Sequence, residues 1–554
     1  MLTQLEAEVH AASLEVNPAL QLLAGERVTT MPRLSLEDSL AFAVEAEQLL
    51  DRLACIDREA LETQDWVTAA VLEHQLQLSV DFAPFHDLRF DVTPYSLGLL
   101  ASSVLPAALL TAPLQTSEDV TTYLGLLDEI GRYFETLDRN LLRQMEREIY
   151  MPRPALPAAR ALLGSLQGQV PALITVAPER LEALDTTQRE RLVNGTTTRL
   201  DGRISPALAS LASRFDAAYE EAAPEALGLG QYPNGADYYR FLVRRDTSLS
   251  LTPEEIHARG LELVDALAER KAVLRKQLGH EGDAASFHAA LRADPRFYDE
   301  TPEAVAERYN RYVRAIEPRI SEQFSRTPSA PFEVLRADPA AEAGITFGYY
   351  QPPATPGAVG RYRFNGSTLE QRPSLWAGAL IYHEGVPGHH FQIALAQESE
   401  TLSAYRKGLF VGAFAEGWAN FASTLAWEMG LLDDPWDEYG WLLFDSFSSA
   451  RLVVDTGLNH LGWSFDRAAE YLRQHTMASE AEIQTELVRY GSALPAQALG
   501  YKLGEQHVLN LRNQVRDHEG ADWDPRRFHD RVLSYGMLPL PVLSAAVKRA
   551  HGVP

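Results

Sequence analysis

Apolar positions recur three and four residues apart along most of the 554-residue chain, the spacing of one face of a helix. Several of these runs follow a hydroxyl residue answered three positions later by an acid: Ser35 with Asp38, Thr252-Pro253 with Glu255, and Ser479 with Glu482. In that pattern each side chain satisfies a backbone donor of the first helical turn. Strict alternation is scarce. The best strand candidates are Ile345 to Tyr350 and Gly360 to Asn365, where Tyr362 and Phe364 alternate with Arg361 and Arg363. Proline and glycine gather at residues 151–157, 228–235 and 351–360, and no internal repeat interrupts the pattern. The pattern predicts a mainly α fold with one small β element. The middle cluster marks a seam between an N-terminal helical half, 1–234, and a C-terminal half, 235–554, expected to form one continuous structural unit.

Composition narrows the class. With 46% apolar residues and a single cysteine, Cys55, the chain is neither disordered nor a disulfide scaffold. A net charge of −26 argues against a nucleic-acid partner, which needs a basic surface. The N-terminus lacks a basic start and an uninterrupted apolar stretch, so no secretory signal is read there. The nearest approach to a membrane span, residues 408–427, carries Glu416, Asn420, Ser423 and Thr424 in its middle and reads as a buried core helix. The expectation is a cytoplasmic protein with no membrane partner, its oligomeric state open.

The sharpest chemistry lies at Tyr382-His383-Glu384-Gly385-Val386-Pro387-Gly388-His389-His390, directly after the apolar run Leu375 to Ile381. A histidine and a glutamate at the end of a buried helix are costly unless paired. Metal binding pairs them, with His383 as a ligand and Glu384 as the base for a metal-activated water. The usual second histidine stands four residues after the first. Here Pro387 occupies that position. At 100° per residue an unbroken helix places His389 roughly 120° from His383 and His390 nearly on its face. Pro387 and Gly388 break the helix, however, and a wide turn swings His389 back. His389 is the preferred ligand and His390 the fallback.

A third ligand is expected at Glu416, the only charged residue between Gly408 and Trp427. Phe410, Phe414, Trp418, Phe421 and Leu425 follow helical spacing around it, and a lone buried carboxylate needs a metal or a cation. Further on, Arg451 and Asp455 lie one turn apart and read as a helix ion pair. Pro495 suits a first helical position, from which Gln497, Tyr501, Glu505 and Arg512 share a face. Tyr501 is the candidate donor to a developing oxyanion, and Arg489, Lys502 or Arg512 the candidate holder of a substrate carboxylate. His390, His460 and Tyr490 complete the candidate substrate-binding set.

The series HEGVPGHHFQ (383–392), AEGWA (415–419), ARLVVDTG (450–457) with GW (462–463), and RY…PAQALGYKLG (489–504) resembles the bacterial domain-of-unknown-function 885 family. FNGSTLEQRP (364–373) and YYRFLVRRDTSLSLTPEEI (238–256) are similar to it too. The matched motifs span roughly residues 230–515. The resemblance implies a zincin-like metallopeptidase of gluzincin type, a large helical fold around a deep cleft, with one wall formed by the N-terminal half. It implies zinc on His383, His389 and Glu416, Glu384 as general base and Tyr501 facing the substrate. Family members carry a histidine two residues after the glycine of the DTG motif; here Asn459 stands there and His460 follows.

Together these readings predict a zinc-dependent hydrolase that cleaves peptide bonds in short peptides. A metal-dependent amidase or esterase acting on non-peptide conjugates, and a non-catalytic binding protein, stay open as alternatives. Ligand type also leaves manganese and cobalt open.

Overall fold

The fold is described from a computed structural model and covers residues 1–339, 342 and 347–554. It is mainly helical, 71% helix and 3% strand, with one small three-stranded sheet. The expected caps are present: Ser35, Thr252 and Ser479 each accept from the backbone three residues on and receive an acid in return. The chain forms two compact units.

The first unit comprises residues 1–61, 68–241 and 491–495. Its longest helix, Ser117–Glu146, opens on a capping box between Thr116 and Asp119. It buries Leu124, Leu127, Phe134, Leu137 and Leu141 along one stripe. Its other side is polar, and Glu135 and Asp138 there pair with Arg203 and Arg214. Among the described residues one stretch, Pro94–Thr111, is long and apolar enough to cross a membrane, and 22% of it is buried.

The second unit comprises residues 62–67, 242–490 and 496–554 and contains every candidate site residue. Two pairs of helices dominate it. Pro253–Gln277 packs along Pro435–Asn459, with Gly260 against Val453. Gly412–Glu428 packs along Leu499–Glu519, where the backbones nearly touch. A β-carbon at Gly417 would stand 2.5 Å from Gly504 Cα, and one at Gly504 would stand 2.0 Å from the Ala413 carbonyl oxygen. The stretch read as a core helix is buried as expected, except that Phe410 precedes the helix and is 67% exposed.

Strands β1 (Phe332–Arg336), β2 (Gly348–Gln351) and β3 (Gly360–Phe364) are ordered β1-β3-β2, parallel between β1 and β3 and antiparallel between β2 and β3. β3 turns Gly360, Tyr362 and Phe364 inward, as its alternation predicts. Of the other predicted strand, Ile345 and Thr346 lie outside the described residues, Phe347 precedes β2, and Gly348 to Tyr350 enter it. β1 went unread because only Val334 of its five residues is buried.

The helix crossing yields a prediction. Gly504→Ala forces the backbones apart, at a cost of about 1–3 kcal/mol or more for overpacking a rigid contact. The urea midpoint should fall accordingly, and an unchanged midpoint would show that the crossing has slack.

Candidate metal centre

The apolar helix Ala377–Glu384 ends at Gly385, and a new helix, His389–Glu398, begins after four residues. The turn between them is tight. A β-carbon at Gly388 would stand 1.9 Å from the His383 carbonyl oxygen, so this position admits only glycine. Trp418 Nε1 donates to the Pro387 carbonyl at 2.9 Å and ties the turn to the Glu416 helix. His389 is thereby carried back to His383, with ring centroids 4.7 Å apart.

Glu416 completes the cluster. Its Oε2 lies 3.5 Å from His383 Nε2 and 3.5 Å from His389 Nε2. Two ligands about 2.1 Å from a tetrahedral ion lie about 3.4 Å apart, so these three side chains have the spacing of a metal site. Their ligand atoms all fall within 4.8 Å of one another. The partner of the buried carboxylate is thus a pair of imidazoles and not an arginine.

The contact that orients His383 fits the same donor set. Asn420 Oδ1 accepts from His383 Nδ1 at 2.9 Å, and Asn420 Nδ2 donates to Ser448 Oγ at 3.2 Å, which holds the amide oxygen toward the ring. With its proton on Nδ1, His383 presents the Nε2 lone pair to the cluster. The Gln392 amide nitrogen lies 2.7 Å from His389 Nδ1 and donates to the Ala415 carbonyl at 3.0 Å. Sequence spacing did not reveal Asn420 and Gln392, although each sits four or three residues from a ligand.

Electrostatics follow from burial and proximity. Burial opposes ionisation of Glu416, but the contacts with His383 and His389 outweigh it and hold the carboxyl well below the usual range. Burial pushes His389 down, and Glu416 more than reverses that, leaving it above its ordinary value. Glu384 is raised, first by burial and then by Glu416, against the pull of His389 and His383; the Tyr350 backbone N–H donates to it. A raised carboxyl is a stronger base. Tyr501 stacks on His383, with centroids 6.1 Å apart and planes within 5°. Burial and the Glu416 charge push its phenol up to about 12, so it stays a hydrogen-bond donor.

Other candidates fall elsewhere. His390 donates through Nε2 to the Ala330 carbonyl at 3.0 Å and accepts from the Tyr350 hydroxyl at 2.9 Å. Both its nitrogens are spent on holding β2 and the approach to β1, and burial pushes it down to about 4. Lys502 is buried between Asp445 at 2.5 Å and Glu505 at 2.9 Å, so it is not a free anchor. His460 pairs with Glu254 at 2.5 Å, and Arg512 holds Glu428 with two hydrogen bonds. Tyr490 is fully buried, accepting from Arg451 Nε at 2.9 Å and donating to Glu486.

Two readings of local spacing are corrected. Arg451 pairs with Glu486 at 3.2 Å, while Asp455 accepts from the Ala496 backbone N–H at 3.1 Å and from Asn459. A backbone donor left by the positive φ of Ala496 outcompetes a helix ion pair. For the same reason Pro495 does not start the helix; it precedes that turn, and the helix begins at Leu499.

The chain belongs to the bacterial family described as protein of unknown function DUF885, whose pattern matches residues 18–547. No curated protein matches it. Its fold is that of a crystal structure from Colwellia psychrerythraea, provisionally described as a lipoprotein. The TM-score is 0.86 at 23% identity, over 100% of this chain and 99% of that one. A protein of unknown function from Shewanella oneidensis, likewise provisionally described as a lipoprotein, matches with a TM-score of 0.79 at 15% identity, over 98% and 99% of the two chains.

The geometry separates the two histidines experimentally. His389→Ala should abolish stoichiometric zinc uptake, while His390→Ala should retain it at reduced thermal stability; elemental analysis of both variants reads the difference, and the reverse result reassigns the ligand. Lys502→Ala should destabilise by about 3–5 kcal/mol, because it leaves two buried carboxylates without their cation. A denaturation curve like that of the parent protein would contradict that account.

Proposed function

We propose that this DUF885 protein is a zinc-dependent hydrolase that cleaves peptide bonds in short peptides. The observation that carries the reading is the triad of buried His383 with half-buried His389 and Glu416, spaced 3.5 Å from nitrogen to oxygen, with Glu384 adjacent to the first ligand. Two imidazoles and one carboxylate are a catalytic zinc set that leaves one coordination position open. Zinc bound there supplies Lewis-acid polarisation of a carbonyl and activation of water near neutral pH.

The chain's own groups supply the rest. Glu384, held by the Tyr350 N–H and raised by burial, takes a proton from the attacking water at its carboxylate and delivers it to the leaving amine. Tyr501, protonated throughout, donates to the carbonyl oxygen as negative charge develops there. His383 and Tyr501 are stacked, so the donor and the ligand keep a fixed separation.

The same donors suit a non-peptide amide or ester, and that alternative differs only in what binds beside the triad. A non-catalytic protein of the same fold is the third reading. The proposed compartment is the cytoplasm. The description of two structurally similar proteins as lipoproteins favours an exported alternative, and fractionation of the producing cells decides between them.

Glu384→Gln should keep zinc and lose turnover of small peptides by about three orders of magnitude or more, as expected when a general base is removed from a metal-assisted hydrolysis. Glu416→Ala should lose the metal. Zinc retained at full stoichiometry in the Glu416 variant would falsify the ligand assignment, and undiminished turnover in the Glu384 variant would remove the base. Chelation of the parent protein should lower its melting temperature, since a ligand bound only by the folded state stabilises it.

A further inference from the structure

Arg489, the remaining cation of the candidate set, is answered by Glu486 at 3.1 Å and by Gln497, so the chain's own groups fill that corner. Another part of the second unit offers both room and an unanswered polar group. A cavity of about 430 Å³ opens where the last turns of Gly412–Glu428 and Leu499–Glu519 meet Trp523, Pro525 and the short helix Glu317–Glu322. Small-molecule sites span about 300–1,000 Å³, so this space is large enough for one. Two other cavities among the described residues hold about 10 Å³ each, roughly the room of a single water. Leu425, on the cavity wall, lies nine residues along the helix from Glu416, roughly 14 Å at 1.5 Å per residue. The cavity is therefore separate from the triad.

Most of its charges answer one another. Arg319 holds Glu322 with two hydrogen bonds of 3.0 Å, and Arg512 holds Glu428 at 2.6 and 2.7 Å. Arg516 differs. Among the described residues its side chain makes no hydrogen bond, and its acid is the adjacent Asp517 at 3.5 Å, beyond the usual length of a charge-assisted bond.

The second unanswered group is His529, which lines the cavity and is fully buried. Its Nδ1 donates to the Gln323 carbonyl at 2.9 Å, and burial pushes the ring down to about 4, so it is neutral and its Nε2 is an acceptor. That Nε2 has no partner among the described residues. The rings packed around it explain why: Phe324, Phe421 and Phe528 carry no donor, and the Trp418 indole is spent on the Pro387 carbonyl. A buried acceptor left without a donor is costly, and a ligand that brings one recovers the loss.

We propose that this cavity binds a small aromatic carboxylic acid bearing a hydroxyl or N–H at the far end of its ring. The carboxylate pairs with Arg516, the ring lies against Leu425, Met429 and Trp523, and the donor serves His529 Nε2. The two Arg–Glu pairs form a neutral rim. This site goes beyond the hydrolase reading and does not depend on it.

Titration calorimetry on the full chain tests the proposal with three probes: para-hydroxyphenylacetate, its amide, and its para-methoxy counterpart. The acid should bind about three- to tenfold tighter than the amide, a modest factor because Arg516 is half exposed and screened. The methoxy compound, which has no donor for His529, should bind about tenfold more weakly than the phenol, and it tests that contact without altering a buried residue. Arg516→Gln, a surface change that leaves the fold intact, should give acid and amide equal affinity. No binding of the acid at millimolar concentration, a methoxy compound that binds as well as the phenol, or an acid preference that survives Arg516→Gln overturns the proposal.

Discussion

The contact on which the site depends is the near-touching of two helix backbones at Gly417 and Gly504. With 2.5 Å between a would-be β-carbon on one and the Cα of the other, no side chain mediates their separation. Glu416 and Tyr501 are the neighbours of that crossing, so the carboxylate and the phenol are registered to each other by backbone contact rather than by flexible packing. The same helices are cross-linked further along, where Thr424 donates to Glu505 at 2.7 Å and Glu505 accepts from Lys502. Such doubly fixed helices are what a site needs when a few tenths of an ångström decide whether three donors converge.

The cost of this arrangement is buried charge, and the chain answers it locally. Glu416 is matched to two imidazoles, Lys502 to two carboxylates, and Arg451 to Glu486 and the Tyr490 hydroxyl. Each set would be strongly destabilising if one partner were lost, because the remainder could not reach water. The unit is therefore specified by polar interactions as well as by its apolar stripes, and the candidate side chains His383, His389, Glu416 and Tyr501 lie on four separate helices.

Local chemistry was legible in the sequence, and partnership was not. The capping boxes, the alternation of β3 and the isolated Glu416 all declare themselves within a few residues, because their causes are local: a free N–H, a two-sided strand, a charge among apolar neighbours. The choice of His389 over His390 followed from Pro387 and Gly388 breaking the helix, which is also local. Arg451 and Lys502 were misread because Glu486 and Asp445 come from 35 and 57 residues away, a separation that no spacing rule reaches, although Glu505, three residues from Lys502, lay within one. Pro495 was misread because the neighbouring Ala496 takes a positive φ that its type disfavours, stabilised by an acid forty-one residues back. Asn420 and Gln392 were visible in principle, since a polar residue three or four positions from a ligand on an apolar helix asks for a partner.

The net charge of −26 gains meaning from these contacts. Exposed charges are screened over about 8 Å at physiological ionic strength, so the acidic surface governs approach more than recognition. The charges enclosed about Glu416, Lys502 and Arg451 are screened far less, so the electrostatics of the site are set by the chain's own paired groups and not by its net charge.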